Sequence, residues 1–167
     1  MQNILNHKKY VLFILSIFIT FLIWGFIYYY SLKDNIVINI SNMNLYNLLI
    51  NIIIYSIILT FSFLLIGFPI SIIYLGYESF ILGFLFNTMF KKGIIMLLYI
   101  PIKIISLFLL IIFIYRLLNI SKYTLRYIIY REEYIKNKMI FNYKNNIYII
   151  GINILLDILI ALFVRFW

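Results

Sequence analysis

Five long apolar stretches constrain this chain more than any other feature. They cover residues 11–30, 48–66, 70–90, 94–115 and 147–164. Each is close to the roughly 20 residues that a helix needs to cross the hydrocarbon core of a bilayer. Backbone polar groups in lipid are satisfied only inside a helix or a closed barrel, and stretches of this length favour helices. The sequence therefore predicts an all-α, polytopic transmembrane helical bundle of about five spans, forming a single integral membrane domain over residues 1–167.

Composition and charge agree with a membrane protein. Hydrophobic residues make up 66% of the chain and charged residues 11%, far outside the usual range for a soluble domain. The net charge of +9 would suggest nucleic acid as the partner of a soluble protein, but here the basic residues flank the spans. With five spans, nine Lys and Arg residues fall on the N-terminal side and four on the other. We therefore expect a cytoplasmic N-terminus in a multi-pass protein of the cell membrane, with lipids and no nucleic acid as partners.

A helix break is predicted between the second and third apolar stretches, where Gly67, Phe68 and Pro69 interrupt the run. Pro69 cannot donate a backbone hydrogen bond, so one helix should end near Ile66 and the next should begin at Pro69. A tight turn is the simpler interpretation. The alternative is a re-entrant pair of half-helices buried among the other spans.

Three ionisable residues lie at membrane depth. Lys103 and Asp157 fall about 13 and 15 Å into their spans, at 1.5 Å per residue. Such groups usually face the bundle interior and pair with each other or mark a transport path. Their opposite charges favour a structural Lys103–Asp157 pair; a proton or ion relay would need further polar residues, and Asn153 and Ser106 are the nearby candidates. We expect Glu78 near the cytoplasmic interface, with neutralisation of a cation in transit as the alternative.

Two further patterns concern packing. Ser79 and Gly83 have the spacing of small residues that lets a second helix approach closely. Residues 116–146 alternate basic and apolar side chains at helical spacing, which is typical of a basic helix lying on an anionic leaflet. A helix that docks a partner would show the same pattern. The basic residues in this segment include Arg116, Lys122, Arg126, Arg131, Lys136 and Lys138.

Catalytic residues are scarce. The chain has no cysteine and one histidine, His7, which precedes the first span. Serines stand alone in apolar runs with no base to activate them, and there is no glycine-rich phosphate loop. The sequence therefore predicts that the protein is not an enzyme and has no cofactor or metal site.

The middle of the chain carries a family resemblance. Gly67-Phe68-Pro69 is followed by Gly83-Phe84-Leu85-Phe86-Asn87, then by Lys92-Gly93 and by Pro101. This order, over residues 67–101, is similar to the stage II sporulation protein M family. The resemblance implies a noncatalytic membrane anchor and scaffold at the sporulation septum. It would assemble two peptidoglycan-degrading partners, stage II sporulation proteins P and D, during engulfment.

A second function class stays open. In a small membrane permease, or the membrane subunit of a transporter, the Gly67–Pro69 break and the three ionisable residues would be functional parts. That interpretation predicts an internal repeat, which the sequence does not show, so the scaffold is the favoured function. It also predicts that Glu78, Lys103 and Asp157 surround one hydrated cavity.

Overall fold

The computed structural model describes residues 2–31, 45–64, 66–92 and 94–166, with side chains described for residues 8–31, 48–63, 66–87 and 99–162. Five α-helices make up nearly all of it. They are α1 (Gln2–Ser31), α2 (Leu45–Phe61), α3 (Gly67–Lys92), α4 (Ile94–Tyr130) and α5 (Glu133–Phe166), with a short 3₁₀ turn, Ser62–Leu64, after α2. The prediction of an all-α bundle is confirmed.

Four of the described helices are long and apolar enough to cross a membrane. Their apolar stretches are Lys8–Ser31, Gly67–Asn87, Tyr99–Tyr130 and Glu133–Leu162. The remaining helix, α2, has 17 residues and is about 25 Å long, somewhat less than the roughly 30 Å of a bilayer's hydrocarbon core. The second predicted span, residues 48–66, is thus shorter than expected, because its helix ends at Phe61.

The turn between α2 and α3 lies close to the predicted break. The Ser62 hydroxyl donates to the Leu59 carbonyl at 2.6 Å in the 3₁₀ turn. Gly67 opens α3 in tight contact with this turn, where an added Cβ would meet the Ser62 backbone at 2.8 Å and the Ile58 carbonyl oxygen at 2.9 Å. Because α3 has 26 residues and is about 39 Å long, it is a full-length helix rather than a re-entrant half-helix.

Helix α3 organises the bundle, since it contacts α1 on one side and α2 and α4 on others. The contact with α1 is close. An added Cβ on Gly83 would clash with the Leu22 carbonyl oxygen, and one on Gly25 would clash with the Phe80 carbonyl oxygen. The Asn87 amide also donates to the Phe26 carbonyl at 3.0 Å. Gly83 therefore occupies a packing position of the kind that its spacing from Ser79 predicts.

Helices α4 and α5 form a long antiparallel hairpin, and this corrects the prediction for residues 116–146. That segment is not one helix on the membrane surface: its two halves continue α4 and α5, which turn at Arg131 and Glu132. Arg131 ends α4 in the left-handed region, with φ of 51°. Only part of the apolar stripe packs between the two halves, since Leu125, Ile128 and Ile129 are exposed. Ile120 and Ile135 are buried, and the Thr124 hydroxyl contacts the Met139 sulfur at 3.3 Å.

We predict that Gly83→Ala lowers the melting temperature of the detergent-solubilised protein, because the new methyl group would collide with the backbone of α1. Overpacking of this kind costs roughly 1–3 kcal/mol. The matched control is Gly151→Ala, since an added Cβ there meets nothing within 4 Å. Thermal unfolding followed by size-exclusion chromatography measures both variants. Equal melting temperatures would show that the close approach of α1 to α3 does not limit stability.

A charged cavity between four helices

Residues of four helices line a partly open cavity of about 120 Å³. Asn51 of α2, Glu78 of α3, Lys103 of α4 and Asp157 of α5 provide its charged and amide groups, and the rest of the lining is apolar or aromatic. The cavity has room for several water molecules but is far smaller than the roughly 300–1,000 Å³ of sites for organic ligands. Its size suits water, a proton or a small ion.

The structure changes the predicted partner of Lys103. The Lys103 ammonium forms a salt bridge with Glu78 Oε2 at 2.5 Å, and both side chains are buried. The predicted direct Lys103–Asp157 pair is therefore wrong, although the two residues line the same cavity. Lys103 and Asp157 lie at the same level of the bundle, as their predicted depths indicate. The rotation of α3 against α4 places Glu78, rather than Asp157, in contact with the Lys103 ammonium.

Glu78 is buried in the bundle. It is 5% exposed and sits eleven residues into the 26-residue helix α3, about 16 Å from its start. Its position relative to the membrane interface stays a prediction. A carboxylate at this depth is stable only with a partner, which Lys103 supplies.

Asp157 has a neutral partner. The Asn51 amide donates to Asp157 Oδ2 at 3.0 Å, and the Tyr74 hydroxyl donates to Asn51 Oδ1 at 3.0 Å. This chain of hydrogen bonds joins α3, α2 and α5. Tyr74 also lies one helical turn before Glu78, so the same face of α3 supports both carboxylates.

Two members of this network, Asn51 and Tyr74, were not among the predicted site residues. Asn51 lies close to the start of an apolar stretch, where an amide usually faces the membrane surface. Tyr74 is one of 16 tyrosines in the chain, so its residue type does not distinguish it as a site residue. The i, i+4 spacing of Tyr74 and Glu78 was the available signal, since it places both side chains on one face of a helix.

The other predicted residues lie away from the cavity lining. The Ser79 hydroxyl donates to the Leu75 carbonyl of its own helix at 2.5 Å. Gly67 and Pro69 lie at the start of α3, and Gly83 contacts α1. The basic residues of 116–146 line the far part of the α4–α5 hairpin; the Lys122 ammonium stacks 3.9 Å from the Tyr10 ring centroid.

We predict that Glu78→Gln destabilises the protein, because it leaves the Lys103 ammonium buried without its carboxylate. Breaking a buried ion pair on one side typically costs 3–5 kcal/mol, so we expect a loss on the order of several kcal/mol. Glu78→Gln combined with Lys103→Met should recover most of it. The contrasting pair is Lys103→Met with Asp157→Asn, which should show no recovery beyond the single variants. Recovery in this second pair instead of the first would restore the Lys103–Asp157 interpretation.

Comparison with known proteins found no family model, curated protein or solved structure that matches this chain. The resemblance to the stage II sporulation protein M family therefore stays a prediction from the sequence.

Proposed function

We propose that this protein is a small membrane permease or the membrane subunit of a transporter, and that its core cavity takes up a proton or a small cation. One observation carries the proposal. Glu78, Lys103 and Asp157 come from three different helices and line a single cavity. This is the arrangement that the transport interpretation of the sequence requires, and ionisable groups inside a membrane commonly mark such paths.

The charge of the cavity favours a cationic ligand. Two carboxylates face one ammonium, so the three ionised groups have a formal sum of −1. The Lys103–Glu78 salt bridge neutralises itself, which leaves Asp157 with a neutral amide as its hydrogen-bond donor. Asp157 is thus the group whose charge a bound proton or monovalent cation would neutralise.

We predict that the reconstituted protein carries protons into liposomes under an imposed membrane potential, followed with an internal pH-sensitive dye. Asp157→Asn should reduce the flux at least tenfold, because an amide cannot exchange a proton at this position. Gly151→Ala serves as the control, since it changes an open position on the same helix. Repeating the assay with Na⁺ or K⁺ gradients separates a proton from a metal cation as the ligand. Flux no higher than in protein-free liposomes, for all three ions, would contradict the transport proposal.

A second candidate, the noncatalytic scaffold, is favoured by the far end of the α4–α5 hairpin. Tyr130 lies 27 residues after Lys103, or about 40 Å along α4. If Lys103 lies near mid-membrane, the hairpin extends about 25 Å beyond the hydrocarbon core, whose half-thickness is about 15 Å.

The end of this hairpin exposes apolar side chains. Ile128, Ile129, Tyr130 and Tyr134 are each about two-thirds exposed. Basic residues surround them, since residues 116–146 contain seven Lys and Arg and two Glu. An apolar patch with a charged rim is typical of a surface that binds another protein. In the scaffold proposal this surface, or another face of the bundle, would recruit peptidoglycan-degrading partners such as stage II sporulation proteins P and D at the septum, as the resemblance implies.

We predict for the scaffold that an affinity pull-down of the tagged protein from early-sporulating cells recovers peptidoglycan hydrolases, identified by mass spectrometry. The double variant Ile128→Ser, Ile129→Ser should reduce their recovery severalfold if the hairpin end is the docking surface. Leu155→Ala is the control, because Leu155 is exposed on the apolar face of a span. Recovery of an ATPase or a solute-binding protein instead would contradict the scaffold and support the transporter subunit.

A further inference from the structure

We propose that the buried face of α5 holds a file of water molecules that connects Asp157 to one side of the membrane. That side is the hairpin side, defined as the side on which α4 and α5 turn at Arg131 and Glu132. The inference deepens the proposed transport function by naming the route through which the core site exchanges protons. The buried polar side chains from which the water file is inferred are present whether or not the protein transports an ion.

Two asparagines of α5 carry the argument. Asn146 and Asn153 are both 0% exposed, and the side-chain nitrogen and oxygen of each lack a hydrogen-bond partner among the described residues. An asparagine side chain offers two N–H donors and a carbonyl acceptor, and a buried polar group left unsatisfied costs roughly 1–3 kcal/mol. Internal water is the usual partner of such groups. Two fully buried carboxamides on one helix therefore indicate bound water between α5 and its neighbours.

The register of these residues places them in line with Asp157. Asn153 precedes Asp157 by four residues and Asn146 precedes it by eleven. At 100° per residue, all three side chains leave α5 within about 40° of one another. Asn146 lies about 16 Å along the helix axis from Asp157, close to the 15 Å half-thickness of a hydrocarbon core. The stripe thus extends from the charged cavity to the membrane boundary on the hairpin side.

Water must bridge the gaps in this stripe. Asn153 is about 6 Å along the axis from Asp157, and Asn146 is about 10 Å further. The longer gap corresponds to about three waters at hydrogen-bond spacing of roughly 2.8 Å, which would pass the buried side chain of Ile150. A proton could then move between Asp157 and the hairpin side along hydrogen-bonded water, with the two carboxamides orienting the waters.

No such stripe continues on the opposite side of the cavity in the described part of α5. Residues 158–162, which follow Asp157, are all apolar. Ile160 and Ala161 line the cavity there, together with Leu48 of α2. In the described part of α5, the polar stripe therefore lies on one side of the cavity only.

Cysteine accessibility tests the path directly, because the chain contains no cysteine of its own. Asn153→Cys and Asn146→Cys are placed singly and exposed to Ag⁺ in sealed, oriented vesicles in chloride-free nitrate buffer. Ag⁺ is small enough to follow a file of water. The thiols that remain after denaturation are then counted with a fluorescent maleimide. We expect both cysteines to be blocked at least tenfold faster when Ag⁺ is added on the hairpin side than when it is added on the other.

Three further variants keep the test decisive. Leu75→Cys, which is buried on α3, and Leu155→Cys, which is exposed on the apolar face of α5, should react slowly from both sides. Ile150→Cys removes no polar group and lies between the two asparagines, so it should react like them even where an asparagine variant fails to fold.

Reaction of the path cysteines at the rate of Leu75→Cys would overturn the inference, as would equal reaction from both sides. Fast labelling without Asp157-dependent proton flux would leave the water path standing and contradict the transport function. Asp157-dependent proton flux without fast labelling would contradict the water path and support the transport function.

Discussion

The fold depends on neutralising one ammonium group that is buried in the bundle. Lys103 lies in the middle of the bundle, where an unpaired charge costs several kcal/mol or more. Glu78 supplies the counter-charge at 2.5 Å, and this contact requires α3 and α4 to be neighbours in one rotational arrangement. Apolar side chains would pack in many rotations of these two helices with similar energies. The salt bridge can form only in an arrangement that brings Glu78 of α3 against Lys103 of α4.

The remaining contacts of the bundle follow from the position of α3. Its Gly83 face accepts α1, and its Tyr74 face reaches Asn51 of α2, which in turn holds Asp157 of α5. Helix α1 provides no part of the cavity lining, so its role in the described structure is to cover α3. The bundle therefore has a packing contact between α1 and α3, built from small residues, and a separate polar cluster, built from ionisable and amide groups.

The two proposed functions use different parts of the molecule. Transport would use the charged cavity and the polar stripe of α5, both buried in the bundle. Scaffolding uses the end of the α4–α5 hairpin, where apolar and basic side chains are exposed beyond the expected membrane boundary. One chain can contain both features, because the hairpin extends the helices that line the cavity without interrupting them.

The sequence by itself determined the fold class and the residues with unusual chemistry. Apolar stretches of bilayer length favour helices, and Lys103, Glu78 and Asp157 stand out because lipid penalises charge. Tertiary structure alone decided that Glu78 is the partner of Lys103, that Asn51 holds Asp157, and that residues 116–146 form two antiparallel helix ends. These outcomes depend on how each helix is rotated against its neighbours. Residue spacing predicts which side chains share a face, but the neighbour that each face meets is set by the packing of the whole bundle.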